Sequence, residues 1–280
     1  RMRDDEDFPM EKPEGEIRIA GIGDSVMFGA GVKQKDTFLE LLEEALNSAQ
    51  RRNKVRCMNL GVPGYNSVQE MTMYRLHARR FRPDLTILQF VENDVCIPNF
   101  VAAGGRLKSA EEEWYRVAQS LSGLVPLTIP PEYRNYVGLE NLRRAYQEIA
   151  RMVKEDRTNL VLTFDYHDFC MTTPEEEGWL STTIKRMCLE QNLAFVQCDP
   201  LPYFKDYLQK CRVKEAKPYL WASTIDPHPD PQRHALTALA LWDTIHSRDL
   251  LPTRLSASEI ARGREVVLAR LKQARKSKEP

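Results

Sequence analysis

Ile17-Arg18-Ile19-Ala20-Gly21-Ile22-Gly23-Asp24-Ser25-Val26-Met27-Phe28-Gly29-Ala30-Gly31 is the stretch from which the fold is read. Ile17, Ile19, Ala20 and Ile22 form a short apolar run that closes on Gly23-Asp24-Ser25. Runs of this kind are buried parallel strands. The small-residue turn that follows puts Ser25 just past the strand's carboxyl end, where open α/β sheets bind ligands. A serine there is either a nucleophile or a helix cap. Phosphate-binding patterns do not fit. Gly21-x-Gly23 and Gly29-x-Gly31 lack the third glycine at its offset, and no Gly-Lys-Ser/Thr follows.

Outward from this strand, helices and strands alternate. Asp36-Thr37 caps a helix to about Ala49, with Phe38, Leu39, Leu41, Leu42, Ala45 and Leu46 on one face. Val55 to Leu60 reads as a second strand, followed by the Gly-, Pro- and Asn-rich turn Gly61 to Ser67. A helix ending near Arg80 turns Val68, Met71, Leu76 and Tyr74 inward, and Leu85 to Val91 is a third strand ending at Glu92-Asn93-Asp94. The later elements are a helix over 139–154, a strand over 160–164, a helix over 174–191, a strand over 193–197 and a partly helical stretch over 201–219. Helices over 231–246 and 256–273 close the chain. The β-α-β order implies parallel strands joined by right-handed crossovers. The expected fold is a three-layer α/β/α sandwich, a flavodoxin-like parallel sheet of five strands ordered 2-1-3-4-5.

The chain divides into a charged lead-in (1–16), a main domain (17–250) and a C-terminal helix and tail (251–280). The irregular region 95–138 is too long for an ordinary connection. It is either an insertion shaping a substrate pocket or a solvated excursion. Its Trp114, Tyr115, Tyr133 and Tyr136 suit stacking on sugar or packing on an acyl chain. At 280 residues with 42% apolar content the chain can bury a substantial core. Forty basic and forty acidic residues balance, so nothing favours nucleic acid. No apolar run approaches the length of a transmembrane helix. The six cysteines show neither CxxC pairs nor metal-ligand spacing, and Cys57 and Cys198 read as buried apolar residues.

Four sites fall at strand ends or in loops after strands: Ser25, Gly64, Asn93 and His228. The strand order brings all four to one edge of the sheet. A serine hydroxyl needs an adjacent base, and histidine suits that role near neutral pH. Acyl transfer also needs donors where oxyanion charge develops. A backbone N–H beside Ser25, the Gly64 N–H and the Asn93 amide would supply three.

These four blocks resemble those of the GDSL/SGNH hydrolases, over Ile17 to about His228. The resemblance implies Ser25 as nucleophile, His228 as base, Gly64 rather than Gly61 as the second-block glycine, and Asn93 as the third-block asparagine. It departs from the family pattern at Val91, where the third block carries glycine, and at Ile225, three residues before His228, where the fifth carries aspartate. Asp226, two before His228, is the expected orienter. A Ser-His dyad oriented by a backbone carbonyl is the alternative. Asp24 reads as a structural hydrogen-bonding residue at the pocket, and Asp94 as a support for the Asn93 loop. His234, inside a helix, reads as a packing residue. His167, flanked by Asp165 and Asp168, is a pocket-lining candidate or a satisfied loop histidine, and no metal or other cofactor is expected.

The expected activity is hydrolysis of a carboxylic ester through an acyl-serine. The alternatives are an O-acyltransferase using the same serine and a non-catalytic binding protein on this fold. The expected substrate is a small-molecule, acylated-carbohydrate or lipid ester. Relatives with a comparable lead-in often carry an upstream signal or anchor, which implies an extracytoplasmic location.

Overall fold

A computed structural model describes residues 8–95, 131–165, 179–213 and 219–277. Strand β1 (Glu16–Ile22) is buried from Ile17 onward, as a strand covered on both faces must be. It pairs in parallel with β2 (Lys54–Asn59) on one side and β3 (Leu85–Phe90) on the other. β3 pairs with β4 (Asn159–Phe164), which pairs with β5 (Val196–Cys198). The order is β2-β1-β3-β4-β5, all parallel. The chain reverses direction of travel across the sheet between β1 and β3, so a crevice opens beyond their carboxyl ends.

Helices cover both faces. After β1 come α1 (Ser25–Phe28) and α2 (Phe38–Ala49), and after β2 comes α3 (Ser67–Leu76). The others are α4 (Leu139–Glu155), α5 (Trp179–Glu190), α6 (Leu201–Lys210), α7 (Pro231–Ser247) and α8 (Ala257–Lys276). Right-handed crossovers from β1 to β2 and from β2 to β3 run in opposite senses, which puts α2 and α3 on opposite faces. α2 packs with α7 and α8, and α3 packs with α4. Thr37 caps α2 by accepting from the Glu40 N–H, and the six apolar residues expected inward are buried. No helix among the described residues is long and apolar enough to cross a membrane.

Arg18 is fully buried within β1. Its guanidinium pairs with Glu16 and donates to the carbonyls of Phe81, Pro9 and Glu11. The lead-in from residue 8 is thereby tied to the base of the sheet.

The structure corrects some sequence expectations. α3 stops at Leu76, and a 3-10 turn (Ala78–Phe81) carries the chain onward. Its buried positions are Ser67, Glu70 and Tyr74, whereas Leu76 is exposed and Val68 and Met71 are half-buried. Tyr74 is inward as expected, but apolar periodicity misses the rest of that face because Ser67 and a carboxyl, Glu70, share it. The last strand begins at Val196, and helix in the stretch after Leu201 ends at Lys210. The second half of the irregular region ends in a 3-10 turn (Pro131–Tyr136). Trp114, Tyr115 and His167 lie outside the described residues. Cys57 and Cys198 are buried as expected, Cys188 is buried too, and Cys211 is partly exposed.

Candidate active site

Ser25 is the first residue of α1, directly beyond β1. Asp24 caps that turn, its Oδ1 accepting the Val26 N–H at 2.9 Å. The loop after β2 stays fastened to β1, for the Leu60 N–H donates to Gly21 and the Val62 N–H to Gly23. Val62-Pro63-Gly64-Tyr65 then turns sharply, closed by the Tyr65 N–H on the Val62 carbonyl at 3.1 Å. Gly64 has φ +79°, the conformation that a type II turn with proline at its second position demands of its third. Gly61 does different work. Its N–H is taken by Asn59 Oδ1, and a Cβ there would lie 2.4 Å from the Phe28 nitrogen, so it lets α1 approach.

Asn93 lies in the 3-10 turn Glu92–Val95 that follows β3. Asp94 closes this turn by accepting the Val91 N–H at 2.9 Å. The Asn93 amide donates to Asp24 Oδ2 at 3.0 Å. An amide nitrogen carries two hydrogens, so this bond fixes its plane and leaves one donor over. Asp24 is fully buried, and burial raises its pKa above the ordinary carboxylate value against the opposing pull of the Val26 and Asn93 donors.

The fourth segment enters from the far side of the sheet. Residues 219–230 form a narrow loop in which Trp221 bridges Pro229 and the Ala222 N–H donates to the His228 carbonyl at 2.8 Å. Its far end is anchored by Asp230, which caps α7 by accepting from the Arg233 N–H. Arg233 and Asp165, both buried, form an ion pair at 2.7 Å that ties the start of α7 to the end of β4. His228 therefore projects from a held loop. Its Nε2 lies 3.0 Å from Ser25 Oγ and its Nδ1 2.6 Å from Asp226 Oδ1. The same Asp226 oxygen accepts the His228 backbone N–H at 3.1 Å, so the two-residue offset closes on itself as an Asx-type turn. Burial would raise Asp226, but the ring and backbone hydrogen bonds from His228 outweigh it and hold the carboxyl below its usual value.

Gly31 lies beneath this loop with φ +83°. A Cβ at Gly31 would stand 2.6 Å from Ala222 Cβ and 3.2 Å from Asp226 Oδ2. The glycine gives the His228 loop room to close on Ser25.

Ser25, Asp226 and His228 are thus in one hydrogen-bonded chain, and Asn93 is joined to it through Asp24, to which Ser25 Oγ also approaches at 3.3 Å. Gly64 sits in the loop fastened to the same end of β1. His234 is remote from this chain. It is buried, accepts the Phe38 N–H on Nδ1 and stacks on the Phe38 ring. Among the described residues no group of three or more His, Cys, Asp or Glu is arranged to hold a metal. Sequence reading missed Gly31, Glu70 and the Asp165–Arg233 pair. A signal existed for the pair: an arginine inside an otherwise apolar helix needs a buried partner.

Solved structures share this architecture. An α/β hydrolase enzyme (LAE5) from the metagenome of Lake Arreo, Spain, superposes with a TM-score of 0.54 at 15% identity, covering 84% of this chain and 96% of that one. A catalytic mutant of Axe2, an acetylxylan esterase from Geobacillus stearothermophilus, gives 0.55 at 15% identity over 82% of this chain and 94% of that one. The acetyl xylan esterase AlAXEase gives 0.55 at 15% identity over 82% of this chain and 100% of that one. At this identity the likeness speaks for the fold. No protein-family model matches the chain, and no curated protein matches it.

Proposed function

We propose that this chain is a serine ester hydrolase of the GDSL/SGNH type, acting on short acyl esters of a carbohydrate. The observation that carries the reading is the Ser25–His228–Asp226 chain at 3.0 and 2.6 Å, assembled from residues more than two hundred positions apart. In the productive tautomer His228 Nδ1–H donates to Asp226 and the free Nε2 accepts from Ser25 Oγ. Ser25 Oγ attacks the ester carbonyl while its proton passes to Nε2. The carbonyl oxygen becomes an oxyanion, facing the Ser25 and Gly64 N–H groups and the second Asn93 amide hydrogen. Collapse breaks the C–O bond, and the imidazolium returns its proton to the leaving alcohol. Water then attacks the acyl-serine, with the same histidine taking and returning a proton, and frees the acid. Asp226 stays ionised throughout, in keeping with its lowered pKa.

Two of the similar structures are acetylxylan esterases, which supports the carbohydrate-ester choice. The test is hydrolysis of a chain-length series of nitrophenyl esters and of acetylated xylan by wild type and Ser25→Ala, with fluorophosphonate labelling of both. The expected result is a short-chain preference, activity on the polysaccharide and labelling only where Ser25 is present. Equal rates in the two proteins would remove Ser25 from the mechanism. Acyl transfer to added sugar exceeding hydrolysis would make the chain an acyltransferase instead.

A further inference from the structure

Behind Asn93 lies a group of buried oxygens that the mechanism does not use. Glu70 on α3 has no exposed surface, and Asp94 is 2% exposed. α4 packs against both α3 and the turn after β3, and across that junction the two carboxyl groups interact with each other. Among the described residues neither oxygen of Glu70 receives an N–H or O–H donor, nor does Asp94 Oδ1. The Tyr146 and Ser67 hydroxyls, also buried without a partner among the described residues, offer at most two hydrogens to these three acceptors, so one acid carries a hydrogen. Two bare carboxylates cannot both ionise at such a spacing out of water.

We propose that Glu70 and Asp94 share one proton, as a hydrogen-bonded acid and carboxylate, and that this bond locks the Asn93 turn onto α3. The Gly64 turn leads directly into α3 through its cap, Asn66, so the pair fixes the spacing between two of the oxyanion donors. Glu70 and Asp94 are positioning residues and touch no reacting atom. The groups facing them are Asp24 from the end of β1 and the Tyr146 hydroxyl from α4, which lies beside Ser67. Cys188 of α5 acts on Tyr146, and Asp165, paired with Arg233, acts on Asp24. Burial and then the negative Asp24 hold Glu70 well above the usual range, against the pull of its hydrogen bond with Asp94, which lowers it. Asp94 is raised by burial and by the facing Glu70 and Asp24, against the Val91 N–H, which lowers it.

This rests on the ester-hydrolase reading, and the experiment separates the two. Infrared difference spectra at pH 8, wild type minus Glu70→Gln, should show one protonated-carboxyl C=O stretch belonging to wild type. The band should also vanish in Asp94→Asn. Absence of that band overturns the shared proton whatever the protein's activity. On nitrophenyl acetate, Glu70→Gln, which keeps a permanent N–H donor, should hold kcat within about threefold of wild type. Glu70→Met, which leaves Asp94 without one, should lose roughly tenfold or more in kcat with little change in KM. Glu70→Met with wild-type kcat overturns the positioning role. Should Glu70→Met fail to fold, Asp94→Leu puts the same question to Glu70. A wild type with no Ser25-dependent turnover would refute the hydrolase and leave the infrared result standing.

Discussion

Substitution of Gly31 by alanine probes how closely the His228 loop must approach Ser25. The new Cβ would lie 2.6 Å from Ala222 Cβ. Carbon atoms rest at about 3.5–4.0 Å, so the loop must yield by roughly 1 Å. Ala222 cannot yield alone, because its N–H is bonded to the His228 carbonyl at 2.8 Å. Transmitted to His228, that shift would stretch the Nε2–Oγ contact, now 3.0 Å, beyond hydrogen-bond reach. A misplacement of about 1 Å at the reacting groups costs up to ~100-fold in rate, so kcat should fall by roughly 10- to 100-fold. Alanine at φ +83° adds about 1–2 kcal/mol of backbone strain to the folded state. The double variant Gly31→Ala/Ala222→Gly separates the two effects. It removes the Cβ collision and should recover most of kcat, while the loss in urea midpoint stays. Steady-state kinetics on a nitrophenyl ester and urea titration measure both. Unchanged kcat in Gly31→Ala, or no recovery in the double variant, would refute the reasoning.

Asn93→Ala should lower kcat by ~10²–10³-fold on the same ester, the usual cost of one oxyanion donor, with little change in KM. Asp226→Asn should lower kcat by roughly 10⁴-fold while fluorophosphonate labelling slows without vanishing, since it removes the partner that sets the His228 tautomer. Arg233→Met strands the buried Asp165 carboxylate and should cost about 3–5 kcal/mol in urea denaturation, far more than any surface arginine. His246, half-buried against the Trp242 ring, has its pKa pushed down to about 4 by the desolvation of its ring. The unfolded chain binds that proton below about 6.5 and the folded chain only below about 4, so this histidine's share of stability is lost as pH falls through that window. His246→Gln should flatten the stability curve there, as measured by thermal unfolding at each pH.

Much of the fold was legible because its signals are local. The apolar run at Ile17 to Ile22, the Thr37 cap and the face of α2 each depend on neighbours within a few residues. The Asn93 and Gly64 turns announce themselves by composition. α3 was misread because its inward face carries Glu70, and hydrophobic periodicity has no term for a carboxyl whose partner lies in another segment. Gly31 was passed over for a similar reason: its constraint comes from Ala222, nearly two hundred residues away.

The sequence by itself determined the alternation of strands and helices that makes a parallel sheet, since strand periodicity and caps are rules of local geometry, and the resemblance of four blocks picked out the candidate residues. Only the tertiary structure decided that Asp226, at an unexpected offset, reaches His228, because a carboxylate two residues away meets the ring only when the loop folds back on itself. It also decided which buried carboxyls face one another. Burial and contact across segments set those interactions, and neither is written in spacing along the chain.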